Sequence, residues 1–118
     1  MSEHTHAYHH LSELPDQLIL NFLAKVNIRS RTNECINWHG DISYDGYGAI
    51  SARKAGRYYS IGTHRLALMI RKGGFLTRGL VVDHICRNRL CCNARHLELV
   101  TNQENIRRGL NGVLRGTK

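Results

Sequence analysis

Within eleven residues the chain carries Cys86-x4-Cys91-x4-His96, and this spacing constrains its folding more than any other feature. Two thiols and an imidazole at so regular a spacing read as metal ligands, with buried free cysteines as the plainer alternative. A tetrahedral zinc ion takes four thiolate or imidazole donors at about 2.0–2.3 Å. Cys35, the only cysteine far from the cluster, is the natural fourth donor. Cys92 competes for that place, although adjacent cysteines seldom fit one tetrahedron without strain. A zinc joining Cys35 to the later loop would fasten together the two halves of a 118-residue chain, whose core must be small. Apparent binding energies of about 10–16 kcal/mol for structural zinc are large enough to offset that deficit.

The remaining composition says what kind of partner such a chain would meet. Hydrophobic residues make up 42%, which suits a globular chain better than a disordered one. No apolar run approaches the roughly 18 residues that cross a bilayer, and the opening MSEHTHAYHH lacks the apolar stretch of a secretory signal. The expectation is a cytoplasmic protein without membrane association, where cysteines hold metal rather than form disulfides. The formal net charge is +8, with −3 over residues 1–50 and +11 over residues 51–118. A basic half of that size is the footprint of a polyanion binder, above all of nucleic acid.

Along the chain, residues 1–10 hold four of the eight histidines and read as a flexible tail. Residues 11–34 form an N-terminal helical segment. There Leu14, Leu18, Ile19, Phe22, Leu23 and Val26 recur at helical spacing, with Pro15 acceptable in the first turn. From residue 35 the texture changes to strands and turns. Ile50–Arg53 and Tyr58–Ile61 flank Ala55-Gly56 and predict a twisted antiparallel β-hairpin. Arg53, Lys54 and Arg57 surround its turn, and such a ribbon fits the major groove of DNA; an ordinary solvated hairpin tip is the plainer alternative. Thr63 would then cap a short helix, His64 to Lys72, ended by Gly73-Gly74.

Leu80-Val81-Val82 reads as a buried strand ending at Asp83-His84, and Leu97–Val100 as a second strand. Thr101-x2-Glu104 has the capping-box pattern, so a helix should begin there with Asn105 in its first turn. If the two strands pair and the helix folds back, Asp83, His84 and Asn105 converge. An imidazole so placed can take a proton from water near neutral pH. An aspartate and an asparagine oxygen suit a hard divalent cation such as Mg²⁺, which can polarise a phosphate and neutralise a leaving oxygen. A lone Asp-His pair would more simply be a hydrogen-bonded core histidine; the surrounding pattern argues otherwise. Residues 109–118 are glycine-rich and basic and read as a tail that touches phosphate.

The run Asp83-His84-Ile85-Cys86-Arg87-Asn88-Arg89-Leu90-Cys91-Cys92-Asn93, followed by His96-Leu97 and Thr101-x2-Glu104-Asn105, resembles the HNH endonuclease motif. Upstream, Trp38-x-Gly40, Gly46-Tyr47-Gly48 and His64-Arg65-Leu66 resemble what precedes that motif in phage-type HNH homing endonucleases. The variant with a structural zinc beside a ββα-metal site, as in the His–Cys box enzymes, is the most similar. The resemblance spans about residues 35–108 and implies an α+β fold: a small zinc-stabilised domain with a twisted antiparallel sheet and a C-terminal ββα-metal motif. It implies that His84 is the general base and that Asn105 and Asp83 hold the catalytic Mg²⁺ or Mn²⁺. It also implies that Cys35, Cys86, Cys91 and His96 hold Zn²⁺. An arginine from the preceding sheet would support the phosphate, with Arg57 the first choice and Arg65 the second. Arg53, Lys54, Arg57, Arg65, Arg107 and Arg108 would contact DNA.

Two departures stand out. Asn93-Ala94 replaces the family's usual Asn-Pro before the zinc histidine, which should loosen the loop without removing a ligand. The sequence continues only thirteen residues beyond Asn105, so long-site specificity would fall to the hairpin, the N-terminal helix or a second copy. The function expected is hydrolysis of double-stranded DNA by one cation per site, nicking as a monomer or cutting both strands as a homodimer. The alternatives are a non-catalytic zinc DNA-binding module and an accessory of a phage packaging apparatus.

Overall fold

The computed structural model describes residues 8–116, with side chains described to residue 109. His4 and His6 of the expected tail therefore lie outside the described residues. His9 and His10 belong to the fold. The Glu13 carboxylate accepts from both of their backbone amides, and His10 Nδ1 caps a 3₁₀ turn at Leu11–Glu13.

Helix α1 spans Asp16–Lys25 with Pro15 at its N-cap position, where a residue without an amide hydrogen loses no helical bond. Four of the six residues of the expected apolar stripe are buried: Leu14, Leu18, Phe22 and Val26 are each at most 5% exposed, whereas Ile19 is half-buried and Leu23 is 39% exposed. Phe22 stacks on Trp38 with ring centroids 5.8 Å apart, and Lys25 lies over the same indole. Around this pair the core gathers Ile50, Ile61, Leu66, Met69, Leu76, Cys92 and Leu97.

Strands β1 (Ala49–Lys54) and β2 (Arg57–Gly62) form the predicted hairpin, with Lys54 opposite Arg57. Ala55 and Gly56 both have positive φ, 52° and 78°, which is the backbone of a two-residue turn matched to the twist of a hairpin. Helix α2 follows at once as Thr63–Arg71. Gly62 rather than Thr63 occupies its N-cap position. Thr63 is drawn inward instead, 1% exposed, with its amide bonded to the Gly48 carbonyl at 3.0 Å. Its hydroxyl is thereby taken away from the helix end it was expected to cap.

Strands β3 (Leu80–His84) and β4 (Leu97–Thr101) pair antiparallel, placing Asp83 opposite Glu98 and His84 opposite Leu97. The antiparallel structure is thus split into two two-stranded ribbons among the described residues. Helix α3 runs Asn102–Gly116, so the backbone expected as a tail from residue 109 continues as helix. The Glu104 amide donates to Thr101 Oγ1 at 3.0 Å, as the capping pattern predicts. The Glu104 carboxylate turns to Arg107 and Arg108 instead of closing the box. β3, β4 and α3 together are the expected ββα unit.

Candidate active site and metal pocket

Two clusters grow from the loop that joins β3 to β4. The first is a metal pocket. One donor atom each from Cys35, Cys86, Cys91 and His96 lies within 4.8 Å of all the others. His96 Nδ1 is 3.6 Å from Cys35 Sγ and 3.4 Å from Cys91 Sγ. Donors held 2.0–2.3 Å from one tetrahedral ion stand about 3.6 Å apart, so the spacing fits a metal with soft ligands. His96 Nε2 donates to the Asn33 carbonyl at 2.7 Å, which aims Nδ1 inward. Cys92, the competitor, is fully buried in the core.

The loop that brings Cys35 here is pinned by its neighbours. The Asn93 amide group donates to the Thr32 and Glu34 carbonyls at 2.9 and 2.7 Å, and Arg95 donates to Asn33. The two thiols shift in opposite directions. Hydrogen bonding by Asn88, and then by the other three donors, brings Cys35 down to about 7, while burial pushes Cys91 up to about 12. A cation among them would favour both thiolates.

The second cluster centres on His84, which is 5% exposed. Its Nε2 is 3.2 Å from the Cys91 carbonyl oxygen. A carbonyl only accepts, so Nε2 carries the hydrogen and Nδ1 is left as the basic nitrogen. The ring belongs to a three-ring stack. His64 lies 4.9 Å from His84 and 4.9 Å from Tyr47, and Tyr47 lies 5.7 Å from His84. Arg89 completes the stack, 5.1 Å over the Tyr47 ring, and donates to the Asp45 carbonyl. Burial holds the His84 imidazole below its ordinary pKa against the raising effects of the Cys91 carbonyl and Asp83, so it is neutral near pH 7. Burial and the neighbouring His84 drive His64 further, to about 3.

Adjacent residues of a strand project to opposite faces, and Asp83 accordingly turns away from this stack towards α3. It is 3% exposed and held by Arg87 through two 3.1 Å hydrogen bonds and by Arg108 Nη1 at 2.9 Å. Arg108 also reaches Glu98 and Glu104, each at 2.8 Å. Asn105, half-buried, sits one turn before Arg108 on the same helix face, so it shares the side of α3 that meets Asp83.

Of the other residues singled out in the sequence, Arg53, Lys54 and Arg57 are exposed, with Arg53 over Tyr58 and Arg57 over Tyr59. Arg57 starts β2 whereas the stacked His64 follows the strand's far end. Five residues of strand, roughly 17 Å, separate those ends, so the structure does not bring Arg57 to His84. Arg65 donates to the Tyr8 carbonyl at 2.9 Å and serves the N-terminal segment. Arg107 pairs with Glu104 and remains exposed. Tyr47, His64, Arg87 and Arg89 were not singled out as site residues. The one signal for the first two was the Gly-Tyr-Gly and His-Arg-Leu runs upstream.

A hairpin-plus-helix unit that carries a buried, oriented histidine beside a Cys/His pocket is the ββα-metal architecture. Residues 62–107 match the model of the HNH endonuclease family, and this segment is similar to that family. The structure of the HNH homing endonuclease I-HmuI, which concerns its binding and cleavage of DNA, superposes with a TM-score of 0.51 at 31% identity. That match covers 71% of this chain and 44% of the other. Two proteins of Escherichia phage T7 are also similar. Protein 2.8 is 32% identical over 66% of this chain and 50% of its own length. Protein 7.7 is 36% identical over 61% of this chain and 52% of its own length. The chain spans about half the length of the curated relatives it matches. Among the described residues no helix is long and apolar enough to cross a membrane.

Proposed function

We propose that the chain hydrolyses phosphodiester bonds in double-stranded DNA, with His84 as general base. The observation that carries this reading is the hydrogen bond from His84 Nε2 to the Cys91 carbonyl. It selects the tautomer whose Nδ1 can accept a proton, while burial keeps that nitrogen unprotonated at neutral pH. His84 Nδ1 takes a proton from water, the water oxygen attacks phosphorus, and the bond to the 3′-oxygen breaks. The products are a 5′-phosphate and, once the leaving oxygen is protonated, a 3′-hydroxyl. Arg89, held close to His84 by the Tyr47 ring, takes the phosphate-supporting place first sought at Arg57.

Asp83 and Asn105 offer hard oxygens of the kind Mg²⁺ or Mn²⁺ prefers. The Asp83 Oδ1 atom receives a single hydrogen bond and keeps a free lone pair, so the residues fit such an ion. When bound there, a divalent cation would supply charge neutralisation at the phosphate and the leaving oxygen. Cys35, Cys86, Cys91 and His96 would hold a structural Zn²⁺. Because Cys91 contributes its sulfur to that pocket and its carbonyl to His84, the structural site also sets the base's orientation. The exposed Arg53, Lys54 and Arg57 place three cations along a ribbon suited to a DNA groove. With these partners the protein would act inside a cell, on the DNA of a phage host.

Incubation with supercoiled plasmid, with and without Mg²⁺, tests the reading. Nicked circles are expected from one site per chain; linear DNA as the first product would mark a paired, two-site form. His84→Ala should abolish cleavage while DNA affinity stays within a few fold. Retained cleavage by that variant would remove His84 as the base. Binding without cleavage under any divalent metal would make the chain a DNA-binding module. Cleavage that requires a second phage protein would make it a packaging accessory.

A further inference from the structure

Arg87 and Arg108 grip the same carboxylate but are held very differently. Arg108 is tied to Asp83, Glu98 and Glu104 at once. The only ion pair of Arg87 among the described residues is with Asp83, and its side chain is 55% exposed over a partner that is 3% exposed. Arg87 also has φ 63°, the left-handed region where an L side chain is uncommon and carries strain. The strained backbone turns the side chain back four residues onto Asp83, immediately beside His84, whose carbonyl receives the Arg87 amide at 3.1 Å.

We propose that Arg87 is a latch on Asp83, closed in the free protein and opened by DNA. The inference rests on the proposed reading of Asp83 as a cation ligand. In the free protein the guanidinium covers both carboxylate oxygens and places a positive charge where a divalent cation would have to enter. A DNA phosphate offers the same planar fork a second bidentate acceptor, with full negative charge. The exposed side chain can move to it without breaking any other ion pair. Arg108 cannot follow, because two further carboxylates hold it. Transfer of Arg87 therefore strips one positive charge from Asp83 and adds a phosphate contact close to His84. Cation binding and DNA binding become linked through one side chain, so each strengthens the other.

The test uses Arg87→Gly, since glycine accepts φ 63° without strain and keeps the loop. Mn²⁺ binding to the DNA-free, zinc-loaded protein is followed by the loss of the free-ion paramagnetic signal. Arg87→Gly should bind Mn²⁺ roughly tenfold tighter than the unsubstituted protein, the scale of one charge-assisted pair. It should at the same time cleave plasmid more slowly, and its slope of log affinity for DNA against log salt should fall by about one. Asp83→Asn should lose the Mn²⁺ site in either background. Unchanged or weaker Mn²⁺ binding by Arg87→Gly, with the site still lost in Asp83→Asn, would overturn the latch and leave the cation reading standing. Mn²⁺ binding that is indifferent to Asp83→Asn would overturn both. No Mn²⁺ bound by either protein would also overturn the latch, because removing it should unmask the site.

Discussion

His64 carries a buried Nδ1 with no hydrogen-bond partner and packs against both Tyr47 and His84. A polar atom left so costs stability, and the arrangement is intelligible if the ring's work is to hold the His84 plane. The same burial makes stability depend on pH. The folded-state pKa is about 3, below the ordinary value of 6.5, so the unfolded chain binds the extra proton first as pH falls. Stability is therefore full above about 6.5 and declines below it, by about 2 kcal/mol per buried imidazole at pH 5. Thermal melts at pH 7 and pH 5 should show a steeper loss for the unsubstituted protein than for His64→Phe, which has no proton to gain. Parallel losses would mean that His64 is not the group responsible. If His84 is the base, plasmid cleavage by His64→Phe should fall through kcat with little change in KM, because the His64 ring packs against His84.

The elements divide the work between binding and positioning. Hairpin β1–β2 presents Arg53, Lys54 and Arg57 as exposed side chains around its turn, outside the buried core cluster. Changing all three to alanine should leave the melting temperature nearly unchanged and lower the salt slope of DNA affinity by about 2.7, or 0.9 per phosphate contact. An unaltered slope would take the hairpin off the DNA. At its other end the hairpin runs into α2 without a linker, and this junction is what presents His64 to His84. Gly48 makes the junction tight. A Cβ there would collide with Thr63 Oγ1 and lie 2.8 Å from Trp38 Cδ1. The junction was hard to read from the residues because Thr63 looks like a helix cap; only the packing shows it buried against Gly48, with the helix beginning one residue earlier.

For the whole molecule, the metal pocket joins segments that are otherwise far apart in sequence. Cys35 meets Cys91 and His96 across about sixty residues, and Asn93, Arg95 and His96 each bond back to residues 32–34. Metal analysis should find about one tightly held zinc per chain, and Cys35→Ser or a strong chelator should remove it with a large fall in melting temperature. The zinc contribution, of order 10 kcal/mol, is comparable with the whole stability of a domain this size. A zinc-free protein that melts normally would leave the four donors without their metal.

The regular spacing of Cys86, Cys91 and His96, the helical stripe from Leu14 to Val26, the Ala55-Gly56 turn and the Thr101 cap were all legible in the residues. Each rests on local periodicity or turn chemistry, which sequence order records directly. The choice of Cys35 over Cys92 was legible too, since two neighbouring thiols seldom face one ion without strain. What surrounds His84 and Asp83 was not. Alternation along β3 sends these neighbours to opposite faces, and their surroundings then come from Tyr47, His64 and Arg108, contacts 20 to 37 residues distant that no local pattern encodes. The sequence by itself brought three Cys/His donors and the Asp83-His84 pair into one stretch of chain. Only the tertiary structure decided which side chains surround His84 and which arginines hold the Asp83 carboxylate, because those are matters of packing across elements.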